Sequence, residues 1–524
     1  MFFRRNPPDA PAPTGQTAPA PADPRTDGLR RTLRLVLLDS LASETMGTLT
    51  SGVFLAGFAV ALDASNFMIG VLAAIPFLVQ FLQLPAVLLV ERLRRRRVLS
   101  VVTSAIARIF ILAVAATPLL PHGAAIMAVA ALVAINQGFS AVAGCAWNSW
   151  MRDVIPERIY GRFFSRRNFA TTGLSMVLSL SAGVLIAAWK RRFPSNDAYA
   201  YSALFVVGGL FGLLGVYILA RTPEPPMTPV TEKFHPYRLL TEPFHDGNFR
   251  RLIAFLATWS FSVNLASPFL TVYMLRTLGL PMSRVVLFNV ISQVCNLAFL
   301  NVWGRLGDRY GSQSVLQVAS PLFLACLLVW SVTGQPYLGE MLLPLLVLLH
   351  MLMGVATGGV ALATGTIAMK LSPIGRATSY LAANSVVTSI SASLASLAGG
   401  ACADFFAARE LGLSITWIGP RTEVGFEALT FHSWTFFFVL AFIVGLIALR
   451  LLRAVKEGSE VKEPISIQHV VAEASRSLQS LSSVAGLNKL GRFQFSFLRS
   501  GLPLTGETSP PTRRAAINGN STEI

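Results

Sequence analysis

Residues 301–314, "NVWGRLGDRYGSQS", place a short charged turn between two long apolar stretches. Arg305, Asp308 and Arg309 crowd together, and glycines occupy positions 304, 307 and 311. Each flanking stretch has about 20 largely apolar residues, enough to cross a bilayer core of roughly 30 Å as a helix. The turn therefore predicts a tight polar connection between two membrane-spanning helices.

The composition extends this prediction to most of the chain. Of the 524 residues, 53% are hydrophobic and 13% are charged, about half the charged share of soluble proteins. Mean hydropathy is +0.58. The formal charge of +17 comes mostly from Lys and Arg in short loops and in the two tails, which is typical of membrane orientation signals. We therefore expect a polytopic membrane protein that does not bind nucleic acid.

The four cysteines indicate neither a disulfide framework nor a metal site. Cys145, Cys295, Cys326 and Cys402 are scattered in or beside apolar segments, and none forms a C-x-x-C pair. The sequence also has no P-loop and no recognisable nucleophile motif. We expect no metal, no cofactor and no direct use of ATP.

Twelve apolar segments predict an all-α integral membrane fold, because only a helix satisfies every backbone group of an open-ended span in lipid. The segments are 33–62, 66–90, 98–120, 123–148, 166–189, 199–220, 249–275, 284–303, 313–334, 341–369, 377–403 and 431–453. Basic residues concentrate in alternate loops, so the positive-inside rule predicts that both termini are cytoplasmic. The basic run 190–192 is an exception, since this rule would place it outside.

Polar and Pro-rich stretches suggest how the chain is divided. We expect a disordered cytoplasmic arm (1–32), an N-terminal six-helix bundle (33–220), a cytoplasmic linker (221–248), a C-terminal six-helix bundle (249–453) and a largely disordered cytoplasmic tail (454–524). Within the tail, residues 487–500 mix Lys, Arg and Phe. They could rest on an anionic membrane surface, remain disordered or bind a protein partner.

Two basic loops of the first half each have a similar loop in the second half. Arg92-Leu93 is matched by Arg305-Leu306, and Gly161-Arg162 is matched by Gly375-Arg376. The number of residues that separates the first pair is almost equal to the number that separates the second. Six segments in each half, with a central linker and a repeated polar turn, resemble the major facilitator superfamily. The resemblance covers about residues 33–453 and implies two pseudo-symmetric bundles with a binding site between them, near the bilayer midplane.

The superfamily's turn motif, G-x-x-x-D-[RK]-x-G-[RK]-[RK], is matched at its first four fixed positions by Gly304, Asp308, Arg309 and Gly311. The resemblance implies that this turn latches the cytoplasmic side, and the alternative is a basic loop that only sets topology. The first-half copy has Arg95 in place of the motif's acid, which favours the topological role there. The charged loop 147–168 adds Asp153 and Arg162 as gate candidates, or as loop anchors.

Ionisable residues within apolar segments are candidates for proton coupling, because each is costly in lipid. Glu44 and Arg108 each lie about ten residues into a segment, so both are about 15 Å deep and could form an ion pair. That pair could be a proton or substrate-charge switch, or a static contact. Asp39 lies nearer the interface, where solvation or a helix dipole could account for it. His350 could carry a proton or serve only as a hydrogen-bonded core residue.

Uncharged polar residues and one tryptophan are the candidates for a central cavity. They are Asn136, Gln137, Trp259, Asn264, Gln293, Asn296 and Asn384. In the superfamily the first, fourth, seventh and tenth helices line the cavity, which implies this role for Glu44, Asn136, Gln137, Asn264 and His350. Any of them could instead bond neighbouring helices.

These features favour a secondary transporter that moves a small molecule by alternating access, with proton coupling as an open possibility. We expect it in a bacterial inner membrane, crossing the bilayer many times. The sparse charge favours a neutral or singly charged substrate over a polyvalent anion. The alternative is a non-transporting membrane scaffold or assembly factor that uses its C-terminal tail. An enzyme is not expected.

Overall fold

A computed structural model of the chain is almost entirely helical. It describes residues 24–226, 241–373, 377–407, 409, 411–418, 423–431, 433–457, 468–470, 472–473 and 475–476. Residues 35–483 belong to one compact unit. The architecture below is that of residues 35–483.

The described residues of the first half form eight helices. They are α1 (Pro24–Thr50), α2 (Gly52–Ala61), α3 (Asn66–Leu78), α4 (Gln83–Leu93), α5 (Arg96–Val114), α6 (His122–Val154), α7 (Glu157–Arg192) and α8 (Ala198–Ala220). A 3-10 turn, Val79–Leu82, joins α3 to α4. The predicted first and second segments are therefore each made of two helices.

The described residues of the second half form six helices and one hairpin. The helices are α9 (Gly247–Arg276), α10 (Met282–Tyr310), α11 (Ser312–Trp330), α12 (Leu342–Lys370), α13 (Ala377–Ala407) and α14 (Ser433–Leu452). The antiparallel strands are β1 (Leu411–Ile418) and β2 (Glu423–Phe431), which pair Leu411 with Phe431 and Ile418 with Glu423. This hairpin was not predicted from the sequence; it lies between the predicted segments 377–403 and 431–453 and includes the first residue of the second one.

Among the described residues, ten helices are long and apolar enough to span a membrane, and the bent pair Asn66–Leu82 and Pro85–Leu93 gives an eleventh if it counts as one span. The predicted segment 33–62 is absent from this set, because the chain breaks at Ser51. Helix α2 is then only ten residues long, and α1 is long enough but too charged, with Arg34, Asp39 and Glu44 in its apolar part. The predicted count of twelve is therefore not reached by length and composition alone.

Packing follows the division into halves. In the first half α5 packs on α6 and α8, and in the second α9 packs on α13 and α14 while α12 packs on α10 and α11. The halves meet where α3 contacts α13, α7 contacts α10 and α2 contacts α9. The second half also has an aromatic core, in which Tyr273, Trp330, Trp434 and Phe438 pack with ring centroids 5.4–6.5 Å apart.

Candidate functional site

The break between α1 and α2 lies at the centre of the candidate site. Ser51 has extended backbone angles and Gly52 has a φ of +55°, a left-handed conformation that glycine adopts without steric cost. A break inside a span leaves backbone N–H and C=O groups without intrahelical partners. Interrupted helices of this kind supply ligand-binding groups in transport proteins.

A cavity of about 330 Å³ lies beside the break, within the first half. The side chains that line it come mainly from α1, α5, α6 and α7. The polar ones are Asp39, Ser40, Ser43, Thr50, Ser51, Ser100, Ser104, Arg108, Asn136, Gln137, Ser140, Trp147 and Arg167. The volume is within the usual range for small-molecule sites, about 300–1,000 Å³.

Arg108 is the most unusual residue of this cavity. It is 8% exposed, and its Nε is buried without a hydrogen-bond partner. Among the described residues Arg108 takes part in no ion pair within 4.0 Å. An arginine in the middle of a span costs roughly 2.5–3.5 kcal/mol on insertion scales, so an unpaired one indicates a functional role.

Asp39 supplies the carboxylate of the cavity, and this residue is 5% exposed. The guanidinium groups of Arg108 and Arg167 both lie within electrostatic range of this carboxylate. Arg167 is held in place, because its Nε donates to Ser40 Oγ at 2.6 Å and its guanidinium lies 5.2 Å from the Trp147 ring. Thus Arg167 has partners that Arg108 lacks among the described residues.

The structure does not bring Glu44 and Arg108 together as the expected pair. Glu44 lines an adjoining cavity with Ser175 and Gln293, and the arginine within its electrostatic range is Arg167. The reason is helical geometry, since the step from Asp39 to Glu44 rotates the side chain by about 140° around α1. Asp39 is also more deeply buried than the interfacial position expected for it.

The candidates on α6 lie at the cavity. Asn136 is 5% exposed, and its Nδ2 donates to the carbonyl oxygen of Ala107 at 2.8 Å, which ties α6 to α5. Gln137 borders both this cavity and a third one of about 330 Å³, which reaches Pro268 and Asn289 of the second half. Asn136 therefore fixes α6 against α5 next to Arg108, while Gln137 is free to face a ligand.

His350 and Trp259 lie in the core of the second half, outside the lining of these three cavities. His350 stacks on Phe288 at 5.1 Å, and its Nδ1 lies 2.8 Å from the carbonyl oxygen of Leu346. Trp259 packs edge-on against Phe323 at 5.7 Å. The packing of both residues is that of core side chains.

The remaining amide candidates are distributed along the second half. Asn264 donates to the carbonyl oxygen of Ser260 in its own helix at 2.8 Å, and Asn296 donates to Thr357 Oγ1 at 3.2 Å between α10 and α12. Asn384 keeps a buried Oδ1 without a partner among the described residues. Gln293 alone among the second-half candidates borders a cavity that includes Glu44.

At the predicted outer face, polar contacts join the two halves. Asp404 of α13 accepts hydrogen bonds from the backbone N–H groups of Asn66 at 3.0 Å and Phe67 at 2.8 Å, at the start of α3. Arg276 of α9 donates to the Ala64 carbonyl oxygen at 2.6 Å and to Asn66 Oδ1 at 3.2 Å. These contacts hold the two halves together at this end.

At the opposite face, the motif turn in the second half is capped by an acid from beyond α14. Gly311 has a φ of +92°, and the Glu457 carboxylate accepts hydrogen bonds from the N–H groups of Ser312, at 2.8 Å, and Gln313. Lys370 donates to the same carboxylate at 2.8 Å. Burial of Glu457 opposes its charge, but these hydrogen bonds outweigh burial and lower its pKa below the ordinary value.

The motif residues Asp308 and Arg309 are exposed, and Arg309 lies 5.2 Å from the Tyr310 ring. Gly304 leaves space for a side chain, since a Cβ there would come no closer than 3.9 Å to Leu362. The acid that caps the turn is therefore Glu457, which the sequence analysis missed. A glutamate soon after the last span was the available signal.

The first half has the same kind of cap, with Glu224 in the role of Glu457. Its Oε1 accepts a hydrogen bond from the backbone N–H of Arg96 at 2.7 Å, at the start of α5. The Arg96 side chain, 1% exposed, donates to Asp153 at 2.5 Å and to the Pro225 carbonyl oxygen at 3.2 Å. The basic loop of the first half therefore caps the start of α5 in addition to carrying charge.

The gate candidates of the first half have different outcomes. Asp153 does contact the loop, but its partner is the buried Arg96, while Arg95 is exposed. The side chain of Arg162 lies outside the described residues. A run of four consecutive arginines, 94–97, gave no sequence signal for which of them is buried.

Comparisons with known proteins agree with this architecture. The family model described as Major Facilitator Superfamily matches residues 40–396, more than half of the chain. No curated protein sequence matches the chain.

Solved transporter structures share the fold at low sequence identity. A point mutant of the nucleoside transporter NupG has a TM-score of 0.62 at 12% identity, covering 82% of this chain and 99% of that one. A bacterial homologue of the iron transporter ferroportin, in its inward-facing state, has a TM-score of 0.59 at 13% identity and covers 81% and 98%. A bacterial homologue of the human lysosomal transporter Spinster, inward-facing and unoccupied, has 0.52 at 13% identity and covers 88% and 100%.

Proposed function

The chain belongs to the major facilitator superfamily, and we propose that it is a secondary transporter that moves a small molecule by alternating access. The observation that carries this proposal is the buried Arg108, without a partner among the described residues, in a cavity of about 330 Å³ beside the α1–α2 break. A costly unpaired charge at a broken helix is expected where a ligand binds and leaves.

The contacts between the halves support an inward-facing conformation. Asp404 and Arg276 join the halves at the predicted outer face. At the other face, the hydrogen bonds between described residues that cap α5 and α11 stay within one half. In alternating access, a rocking movement of the halves would break the contacts of Asp404 and Arg276 at the outer face. The same movement would bring the two halves together at the opposite face.

Asp39 is the acid that we assign to proton coupling. It shares a cavity with Arg108, whereas Glu44 borders the neighbouring one and stays as the second candidate. Asp39 faces Arg108 and Arg167, so gain or loss of a proton on Asp39 changes the charge that the cavity presents to a ligand. Coupling through Asp39 therefore requires no movement of charge between distant sites.

The positive-inside distribution supports an inner-membrane protein with both termini in the cytoplasm, and with residues 221–248 as the linker between bundles. The described part of the C-terminal tail is engaged within the chain, since Glu473 pairs with Arg305 at 2.9 Å and His469 stacks on Tyr310 at 5.2 Å. These contacts do not favour a scaffold that recruits partners through this segment.

A reversible lock at the outer face tests alternating access. In a background without Cys145, Cys295, Cys326 and Cys402, Asn66→Cys and Asp404→Cys would be bridged with a short reducible cross-linker. We expect the bridged protein to bind ligand but not to transport it in proteoliposomes, and reduction to restore transport. A bridged protein that transports at the normal rate would refute the proposal, and each single-cysteine variant is the control.

A further inference from the structure

We propose that the ligand of the Arg108 cavity is a small organic monocarboxylate, whose carboxylate binds the Arg108 guanidinium. This inference rests on the proposed transporter function and specifies its substrate class. A planar guanidinium binds a carboxylate through two parallel hydrogen bonds, and such charge-assisted bonds are among the strongest in proteins.

The charges that surround the cavity leave one positive charge in excess. Helix α1 contributes the Asp39 carboxylate, α5 contributes Arg108 and α7 contributes Arg167. Helix α6 contributes only neutral side chains to the lining, and α8 contributes Leu219. Because one carboxylate lies between two guanidinium groups, a ligand with a single negative charge would neutralise the cavity.

The partners of the two arginines decide which of them meets the ligand. Arg167 already donates to Ser40 and to Asn168, and it lies over the Trp147 ring. Arg108 has no hydrogen-bond partner among the described residues, although only 8% of it is exposed. Since a buried donor is normally satisfied, Arg108 is the group of this cavity that we expect an anion to bind.

The same charges argue against other ligand classes. A dianion would bring its second charge against Asp39. A zwitterion would need Asp39 for its ammonium group, but this carboxylate already faces Arg108 and Arg167. Apolar side chains also line the cavity, which suits an organic tail better than an inorganic ion. They include Met46, Leu55, Ile111 and Val133.

The volume limits the size of that tail. At about 30 Å³ for each water-sized group, 330 Å³ holds on the order of ten non-hydrogen atoms. A ligand of this size has room for a carboxylate and a short aliphatic or aromatic group. Hydroxyl groups such as those of Ser104 and Ser140 are donors that can complete the binding of its oxygens.

A fourth and larger cavity, at the predicted outer face, has the same electrostatic preference. It encloses about 980 Å³ between α2, α7, α8, α9 and α10. Four basic and two acidic residues line it: Lys190, Arg191, Arg276, Arg284, Asp63 and Asp197. Such a basic vestibule raises the local concentration of anions. It also gives a role to the basic run 190–192, which departs from the positive-inside rule.

The test compares acids with their neutral amides on the intact purified protein. The probes are benzoate and propionate, their amides benzamide and propionamide, the zwitterion L-alanine and inorganic phosphate. Thermal stabilisation and equilibrium binding are measured for the native protein, Arg108→Gln and Arg108→Lys. Arg97→Gln is the matched control, because Arg97 is an exposed arginine on the same helix.

We expect at least one of the acids to stabilise the native protein and its amide not to do so. Arg108→Gln should weaken binding of that acid about 100-fold, Arg108→Lys by less, and Arg97→Gln not at all. The acid–amide comparison on the native protein stands even if Arg108→Gln does not fold.

The proposal is overturned if an amide binds as tightly as its acid, if L-alanine or phosphate binds better than both acids, if Arg108→Gln binds normally, or if neither acid binds. Its failure is distinguishable from failure of the transporter function. A neutral metabolite that binds and is transported would leave the transporter function standing, whereas unimpaired transport by the cross-linked Asn66→Cys/Asp404→Cys protein would refute that function itself.

Discussion

The last helix of each half carries a glycine at an equivalent place, but the two glycines meet different chemistry. In the first half, a Cβ at Gly212 would lie 2.8 Å from Arg108 Cγ. In the second half, a Cβ at Gly445 would lie 2.2 Å from Leu324 Cδ2. The close approach of helices is shared, while the buried cation of the first half is replaced by a buried leucine.

The spacing of these residues along the chain supports their equivalence. The step from Arg108 to Leu324 equals the step from Arg96 to Ser312, the residues at which α5 and α11 begin. In the same way, the step from Gly212 to Gly445 equals the step between the two capping acids, Glu224 and Glu457.

The repeat thus conserves backbone packing and helix capping in both halves, and it places the charged cavity in only one. Arg108 lines that cavity, whereas Leu324 is a core residue with 1% exposure. We infer that the charged groups that bind the ligand belong to the first half.

Exchanging the side chains of Arg108 and Leu324, the equivalent residues of the two halves, should have the largest effects. Leu324→Arg puts an unpaired cation into a core position with 1% exposure, and we expect little folded protein. Arg108→Leu should abolish ligand binding and transport, yet raise the thermal midpoint of the ligand-free protein because a costly buried charge is removed. Yield, thermal midpoint and uptake are the measurements. An Arg108→Leu protein that is both less stable and still active would break the comparison.

Arg96, the buried cation of the first-half cap, should contribute more stability than Lys370, the cation at the second-half cap. Arg96 is 1% exposed, whereas the Lys370 side chain is 43% exposed. We expect Arg96→Met to lower the free energy of unfolding by about 2–3 kcal/mol and Lys370→Met by less than about 1 kcal/mol. Thermal or denaturant unfolding in detergent measures both. Equal losses would mean that burial does not distinguish the two caps.

The cap at Glu457 should depend on pH. Its folded-state pKa is below the ordinary value, so its stabilisation is complete above that value and is lost as the pH falls through the folded-state pKa. We expect Glu457→Gln to lower stability by about 1 kcal/mol at neutral pH. The difference from the native protein should disappear at a pH well below about 4.3, the ordinary glutamate pKa. A difference that persists in acid would indicate that the carboxylate is not the stabilising group.

The smallest effect is expected at His350, a titratable residue of the second-half core. His350→Gln should leave the pH dependence of ligand binding unchanged, because the ring packs on Phe288 and lies outside the lining of the Arg108 cavity. Asp39→Asn should remove that pH dependence in a parallel measurement. If His350→Gln removes the pH dependence of ligand binding instead, proton coupling belongs to the second half, and the assignment of coupling to Asp39 of the first half is refuted.

Much of the fold could be predicted from the sequence, because long apolar segments and loop charge follow directly from the bilayer. The turn 304–311 and the nearly equal spacing of two pairs of basic loops led to the superfamily. The break at Ser51-Gly52 could not be predicted, since both residues are tolerated inside transmembrane helices. Its position depends on tertiary packing.

The site was predicted in part, and the errors have physical causes. Asp39 and Arg108 were both among the sequence candidates, but depth along a segment does not give the direction of a side chain around the helix. That is why Glu44 was expected beside Arg108. The capping acids Glu224 and Glu457 lie in segments that carry no motif, so only the structure relates them to the ends of α5 and α11.

The most direct test of the account asks from which side the Arg108 cavity is open, and whether a ligand closes it. Ser140, which lines the cavity, would be changed to cysteine in a protein without its native cysteines and treated with a membrane-impermeant thiol reagent. We predict rapid modification in inside-out vesicles, slow modification in right-side-out vesicles and protection by the acid that binds. Equal modification from both sides, or modification that no bound ligand slows, would contradict a one-sided substrate site in the first half.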